Sequence, residues 1–328
     1  MNTKVILESL KSQSKGIYTC YNKNKELIPL IAKTIKAYSP NDIIIIAQGS
    51  SLSVAYYTKY LFELYYNVSV SIVDYAIYTI YNKRIKINKT LLIAISEQGN
   101  DEKILDVLKK ANEDGAITLS ITNDEDSSIA KEAKYDLYTN IKKSALNIES
   151  KGLATNIYLV TKLIYELTGI PELDLEEDRV CECLEESLNY HNQIKEDVKL
   201  FALKNFVYTF SYGYIECLAN ELSLKIRENC FLPSFSHKDF NYNKGEGIKT
   251  NNSTASIIFA IDKVTNNYVA EKIKRFNHIK YVITNKGEFL NICNKGIYIN
   301  EDNDLYALFT AVGVIQIFTA ELCNLYNK

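Results

Sequence analysis

The chain has 328 residues, long for one hydrophobic core and comfortable for two domains of ordinary size. Hydrophobic residues at 47% and charged residues at 24% give the balance of a soluble globular protein. A net charge of −2, with no basic stripe interleaved with aromatics, excludes the electrostatic footprint of a nucleic-acid binder.

The seven cysteines are odd in number and contain no Cys-x-x-Cys pair. That argues against a disulfide framework or zinc site and for a reducing cytoplasm. Residues 1–13 alternate polar and apolar side chains and lack the core of a signal peptide. The apolar runs at 43–47 and 312–320 are too short to span a bilayer, so a soluble, cytoplasmic protein with no membrane contact is expected.

In chain order, residues 42–47 read as a buried strand and 52–66 as a helix with apolar residues at helical spacing. Residues 68–74 and 91–96 read as strands. A helix over 101–112 follows, with Ile104, Leu105, Leu108 and Ala111 on one face, Asn100 or Asp101 as its cap and Gly115 at its end. Residues 116–122 make another strand. Strands alternating with helices imply an α/β fold with a mostly parallel, doubly wound sheet. The pattern breaks at Gly169-Ile170-Pro171 and the acidic stretch 172–178, and one long helix is expected over 176–200. The theme then returns, with strands at 205–210, 256–261 and 279–284 and helices after Gly213 and over 265–276. Leu119-Ser120-Ile121-Thr122-Asn123 is echoed by Tyr281-Val282-Ile283-Thr284-Asn285, and with the matching element order this indicates an internal duplication.

Two β-branched runs empty into polar loops that open helices. Ile43–Ile46 leads into Gln48-Gly49-Ser50-Ser51, and Leu91–Ile95 into Ser96-Glu97-Gln98-Gly99-Asn100-Asp101. Such loops aim backbone N–H groups and hydroxyls outward at the positive end of a helix, where an anion is favoured. Gln48–Ser51 lacks the glycines of a dinucleotide fingerprint and the lysine of a P-loop. A lone serine loop is as readily a helix cap as a site; the second loop tips the balance towards a pocket for a small anion, because ligands of open α/β sheets gather at the carboxyl ends of strands.

Glu221, Lys225 and Glu228 fall at i, i+4 and i+7 and share one helix face. A carboxylate beside a lysine can shuttle a proton, although on spacing alone a solvated salt-bridge stripe is the commoner outcome. His191 and His278 read as structural or exposed. His237 lies in a polar loop with a surface role, and no histidine–carboxylate spacing suggests a metal.

Taken together these residues resemble the tandem sugar isomerase (SIS) domain proteins, above all the isomerase half of glutamine–fructose-6-phosphate aminotransferase and the fructosamine-6-phosphate deglycases. Gly49-Ser50-Ser51 matches the family's Gly-Ser/Thr-Ser loop, and Ser96-Glu-Gln-Gly99 its Ser-Gln-Ser-Gly loop. Residues 111–123 match its Ala-x-x-x-Gly-Ala-x-x-(Leu/Ile)-x-Ile-Thr-Asn, and Glu221-Leu-Ser-Leu-Lys225-Ile-Arg-Glu228 its Glu-x-Ala-Leu-Lys-Leu-Lys-Glu. The resemblance implies two flavodoxin-like αβα domains. It divides the chain into an N-terminal helical segment 1–26, a first SIS domain 27–170, an acidic linker with bridging helix 171–200, and a second SIS domain 201–328. It also implies a homodimer acting on a sugar phosphate without metal or organic cofactor. By the same resemblance Ser51 and Ser96 hold the phosphate, assisted by Gly49, Ser50, Gln98, Gly99 and Asp101. Glu228 is the carboxylate base, and Lys225 lines the site.

The chain departs from the family pattern at several positions. Gln98 replaces the second serine, and Asn100-Asp101 replaces Glu-Thr. An ionised Asp101 beside a phosphate would cost roughly 4 kcal/mol at about 4 Å in an intermediate dielectric, unless it turns away as a cap. The histidine of the family's His-Gly-Pro falls on Lys244 without gaps and on Tyr242 with them, and the C-terminal lysine tail and glutaminase domain have no counterpart. Two functions follow from the resemblance: an aldose/ketose sugar-phosphate isomerase or fructosamine-6-phosphate deglycase, or a non-catalytic sugar-phosphate sensor. An enzyme for an uncharged or cationic ligand read by Gln98 and Asp101 is a further alternative.

Overall fold

The computed structural model describes residues 3–84, 89–141, 151–237 and 252–326. They form two compact units, one drawn from residues 15–141 and 151–177, the other from residues 3–14 and 178–326.

The first unit runs α1 (Thr3–Asn24, shared between the units at Ser14), α2 (Leu27–Tyr38), β1 (Asp42–Ala47), α3 (Ser50–Leu61), β2 (Ser69–Ile72), α4 (Ala76–Thr79), β3 (Thr90–Ser96), α5 (Glu102–Glu113), β4 (Ile117–Thr122), α6 (Ser128–Glu132), β5 (Tyr135–Tyr138) and α7 (Lys151–Thr168). Its five strands are all parallel in the order β2-β1-β3-β4-β5. β3 is buried at all seven positions, as a strand covered on both faces must be, which is why its sequence is a continuous apolar run. On one face Ile104, Val107, Leu108 and Ala111 of α5 pack on Ile46, Leu92 and Ala94, while Leu105 is only partly buried. α2, α3 and α7 pack together on the other face. The expected helix over 52–66 starts two residues early and ends in a π-helical turn, Phe62–Tyr66, stopped by Asn67 at φ +53°.

The second unit contains α8 (Glu177–Glu186), α9 (His191–Asp197), β6 (Phe206–Phe210), α10 (Glu216–Cys230), β7 (Ser234–His237), β8 (Thr254–Ala260), α11 (Asn266–Arg275), β9 (Ile279–Thr284), β10 (Lys295–Tyr298) and α12 (Asp304–Tyr326). Its sheet is also all parallel, in the order β10-β9-β8-β6-β7. Read from β7 and counted within the unit, that is the order of the first sheet, 2-1-3-4-5, the flavodoxin-like winding. The duplication is therefore present in topology as well as in the echoed strand ends.

Two expectations are corrected. Residues 176–200 are not one helix: 3-10 turns at Ser187–Tyr190 and Val198–Phe201 interrupt it. The break sits where Ser187 Oγ donates to Leu184 O at 2.6 Å and Gly313 of α12 presses in, so that a Cβ on Gly313 would lie 2.0 Å from Ser187 Oγ. The apolar run at 312–320 belongs to a 23-residue helix, long and apolar enough by length and composition to cross a membrane. That helix is 94% buried in the fold over its most apolar stretch and serves as a core helix here.

Candidate functional site

Both sheets reverse their strand order next to their first strand, and at such a point the two neighbouring loops diverge to leave a crevice at the carboxyl ends of the strands. In the first unit, Ala47 pairs with Ile95, so β1 and β3 end level and their loops emerge side by side.

Gly49 sits at φ +56°, ψ −133°, a backbone region that glycine alone enters freely, and a Cβ built there would meet nothing within 4 Å. No side chain caps α3 at this residue. Ser51 N–H bonds to Gln48 O and Leu52 N–H to Gly49 O, both at 3.1 Å, which closes the turn and leaves the Gly49 and Ser50 amides leading the helix. Ser50 and Ser51 are half-buried at its rim. This is an open, uncapped helix N-terminus lined by hydroxyls, the arrangement that binds an anion.

The second loop is built differently. Ser96 is 8% exposed, and its Oγ accepts the Gly99 N–H at 3.2 Å. Gly99, at φ +65°, is pressed against the segment after β4, and an added Cβ would lie 2.2 Å from Ser127 Oγ. Ile129 N–H donates to Gly99 O at 2.9 Å, and Asn123 N–H to Glu97 O at 3.1 Å. The Asp101 carboxylate caps α5, accepting from Lys103 N at 2.9 Å and Ile104 N at 3.2 Å. Its charge is thus spent on its own helix, and the α5 N-terminus is self-capped where that of α3 is open. Gln98 is exposed, and its carbonyl accepts from Asn100 Nδ2 at 3.1 Å. The bracing by Ser127 and Ser128 was missed from sequence; the Asp-Ser-Ser cluster after Asn123-Asp124 was the available signal.

In the second unit, Ala260 pairs with Thr284 as Ser96 pairs with Thr122, so alanine stands where the first unit has its loop serine. Gly213, at φ +65°, is covered: its Cβ position lies 3.2 Å from Asp262 Oδ2. Asp262 in turn accepts from Val264 N at 2.9 Å, and burial, with Asp304 nearby, raises its pKa. This crevice holds a carboxylate of the chain itself.

α10 carries the predicted acid–base set. Lys225 Nζ lies 3.2 Å from Glu228 Oε2 and 3.9 Å from Glu221 Oε1. The face is not a solvated stripe: side-chain exposure runs from 1% at Glu221 through 11% at Lys225 to 44% at Glu228. A partly desolvated lysine holds one end of a carboxylate that still reaches solvent, an arrangement able to accept and return a proton. Arg227 braces the helix by donating to Ser223 Oγ at 2.8 Å and Ser234 O at 2.6 Å. Lys244 and Tyr242, and the side chain of His237, lie outside the described residues. His191 pairs with Glu321 at 2.8 Å, and His278 is buried against Ser256 Oγ at 2.5 Å. Among the described residues no three His, Cys, Asp or Glu are grouped to hold a metal, and all seven cysteines are free thiols.

The SIS domain family matches residues 37–166, the span holding both loops of the first crevice. The chain is 27% identical to glutamine–fructose-6-phosphate aminotransferase of Pyrococcus horikoshii over 233 residues, covering 69% of this chain and 38% of that protein. It thus spans well under half the length of the curated relatives it matches. The fold is similar to the C-terminal domain of glucosamine-fructose-6-phosphate aminotransferase from Francisella tularensis, with a TM-score of 0.78 at 15% identity over 98% of this chain and 94% of that one. It is also similar to tagatose-6-phosphate ketose/aldose isomerase from Escherichia coli, with a TM-score of 0.79 at 14% identity over 99% and 94%. Residues 37–166 are thus similar to the SIS domain family, and the second unit repeats the parallel α/β architecture of the first.

Proposed function

We propose that the chain binds a sugar phosphate and works as an aldose/ketose sugar-phosphate isomerase or fructosamine-6-phosphate deglycase. The observation that carries this reading is the uncapped N-terminus of α3, open at Gly49 and led by Ser50 and Ser51, with Ser96 ending the neighbouring strand. The phosphate is taken by those groups. Gln98 and Gly99 shape the rim, and Asp101 stays on its helix as a cap. By the family resemblance Glu228 is the carboxylate base that moves a proton between the first two carbons of an open-chain sugar, with Lys225 holding its charge and Lys244 as a further candidate. The names of the aminotransferase and isomerase relatives, each an enzyme of a phosphosugar, support this class of substrate. The same reading makes the protein a cytoplasmic homodimer that needs no cofactor.

Calorimetric titration with fructose 6-phosphate, glucosamine 6-phosphate and a fructosamine 6-phosphate tests it. At least one should bind, and Ser51→Ala or Ser96→Ala should weaken binding by about 1.5–3 kcal/mol, the value of a hydrogen bond to a charged group. Equal binding of the unphosphorylated sugar would sink the phosphate site. The departures at Gln98 and at the family histidine favour a second reading, a sugar-phosphate sensor without turnover. Glu228→Gln separates the two: an enzyme should lose a factor of about 10²–10⁴ in turnover, whereas a sensor shows the same background for both proteins.

A further inference from the structure

A groove of about 560 Å3 lies in the first unit, lined by the end of α1, the start of α2, Glu125 and one side of β5. Its size is that of a small-molecule site. One wall is apolar: Leu27, Ile31 and Leu30, the last 53% exposed. The other is polar, with Lys134, Asp136 and Tyr138 brought to one side by strand alternation.

Asp136 is the unusual member. Its neighbour across the sheet, Ser120, is fully buried and donates its hydroxyl to Asp136 Oδ1, and Tyr138 donates a second bond. Among the described residues no lysine or arginine forms an ion pair with it. The nearby cations are engaged elsewhere: Lys23 pairs with Glu125 and sits 5.5 Å from the Tyr138 ring, and Lys134 Nζ donates to Ala116 O at 2.8 Å. Glu26 adds another carboxylate to the lining. The groove therefore offers three carboxyl groups against two committed ammonium groups, beside a hydrocarbon wall.

We propose that this groove is a second ligand site, taking a small aliphatic primary amine with its ammonium on Asp136 and its chain along Leu27 and Leu30. Burial pushes the Asp136 carboxyl up to about 6, and the Tyr138 phenol, raised to about 12, stays a neutral donor. Amine binding should follow ionisation of Asp136; the other charged groups lining the groove are Lys23, Lys134, Glu26 and Glu125.

The test titrates n-butylammonium chloride into the protein at constant ionic strength, followed by NMR shifts of the groove residues, with n-butanol and butyrate as isosteres. Butylammonium should bind saturably and about tenfold more tightly near pH 7.5 than near pH 5, the ratio for a carboxyl titrating near 6. Butanol and butyrate should not match it. Asp136→Asn should abolish the pH dependence and most of the affinity, and Leu30→Ala, at an exposed position, should weaken binding with the pH ratio intact. The proposal is overturned if there is no saturable binding, if binding is equal at both pH values, if butanol binds as well, or if Asp136→Asn or Leu30→Ala has no effect. None of these outcomes bears on sugar-phosphate binding at Ser51, so the two readings fail separately.

Discussion

Asp101 shows how one side chain decides what a loop can do. A carboxylate at the mouth of a phosphate loop is repulsive, but one that accepts the Lys103 and Ile104 amides is a helix cap whose charge faces its own dipole. Asp101→Ala should accordingly cost about 1 kcal/mol of stability in urea unfolding, the usual value of a lost cap. Sugar-phosphate affinity should not fall, and a large loss would mean that the carboxylate touches the ligand. Gly49 and Gly99 divide the glycine roles between them. Gly49 is left-handed with open space above it, so its cost is conformational; Gly99 is left-handed and pressed on Ser127, so any side chain there also collides.

At the scale of elements, Gly313 is the clearest constraint. Alanine normally gains about 1 kcal/mol over glycine inside a helix, yet here its Cβ would lie 2.0 Å from Ser187 Oγ and 3.3 Å from Leu184 O. Gly313→Ala is expected to destabilise the protein by a net 1–3 kcal/mol, roughly the cost of overpacking a core, as a lower midpoint in thermal or urea unfolding. Central elements were legible in the sequence because burial on both faces leaves long apolar runs, as in β1, β3, β4, β8 and β9. Of the four-residue edge strands, β2 was legible from the alternation Val68-Ser69-Val70-Ser71-Ile72-Val73, whereas β5, β7 and β10 lack such a run, so Lys295-Gly296-Ile297-Tyr298 reads as loop. The broken helix over 176–200 escaped for another reason. Its interruption comes from a tertiary contact with Gly313, and no Pro or Gly within the segment announces it. At the site, the residue types of both loops could be read from spacing. Which loop is open and which self-capped could not, because that depends on where the Asp101 side chain turns.

Across the whole molecule, the pH dependence of stability should carry the mark of His278. Burial against Ser256 lowers its pKa from the ordinary 6.5 to about 4. A ring held neutral in this way contributes stability that is complete above 6.5 and is lost as the pH falls towards 4. His278→Gln, which can still bond Ser256, should flatten that acid limb by about 3 kcal/mol in urea unfolding measured across the interval, the size expected of a shift of this order. An unchanged slope would show that other groups dominate. The duplicated architecture has one more consequence. Since the second crevice is occupied by Asp262, lying against Gly213, and its loop serine is replaced by Ala260, the two halves are equal as folds and unequal in their crevices. A sugar-phosphate titration should therefore saturate at a stoichiometry of one per chain, with the second half keeping the sheet and giving up the anion.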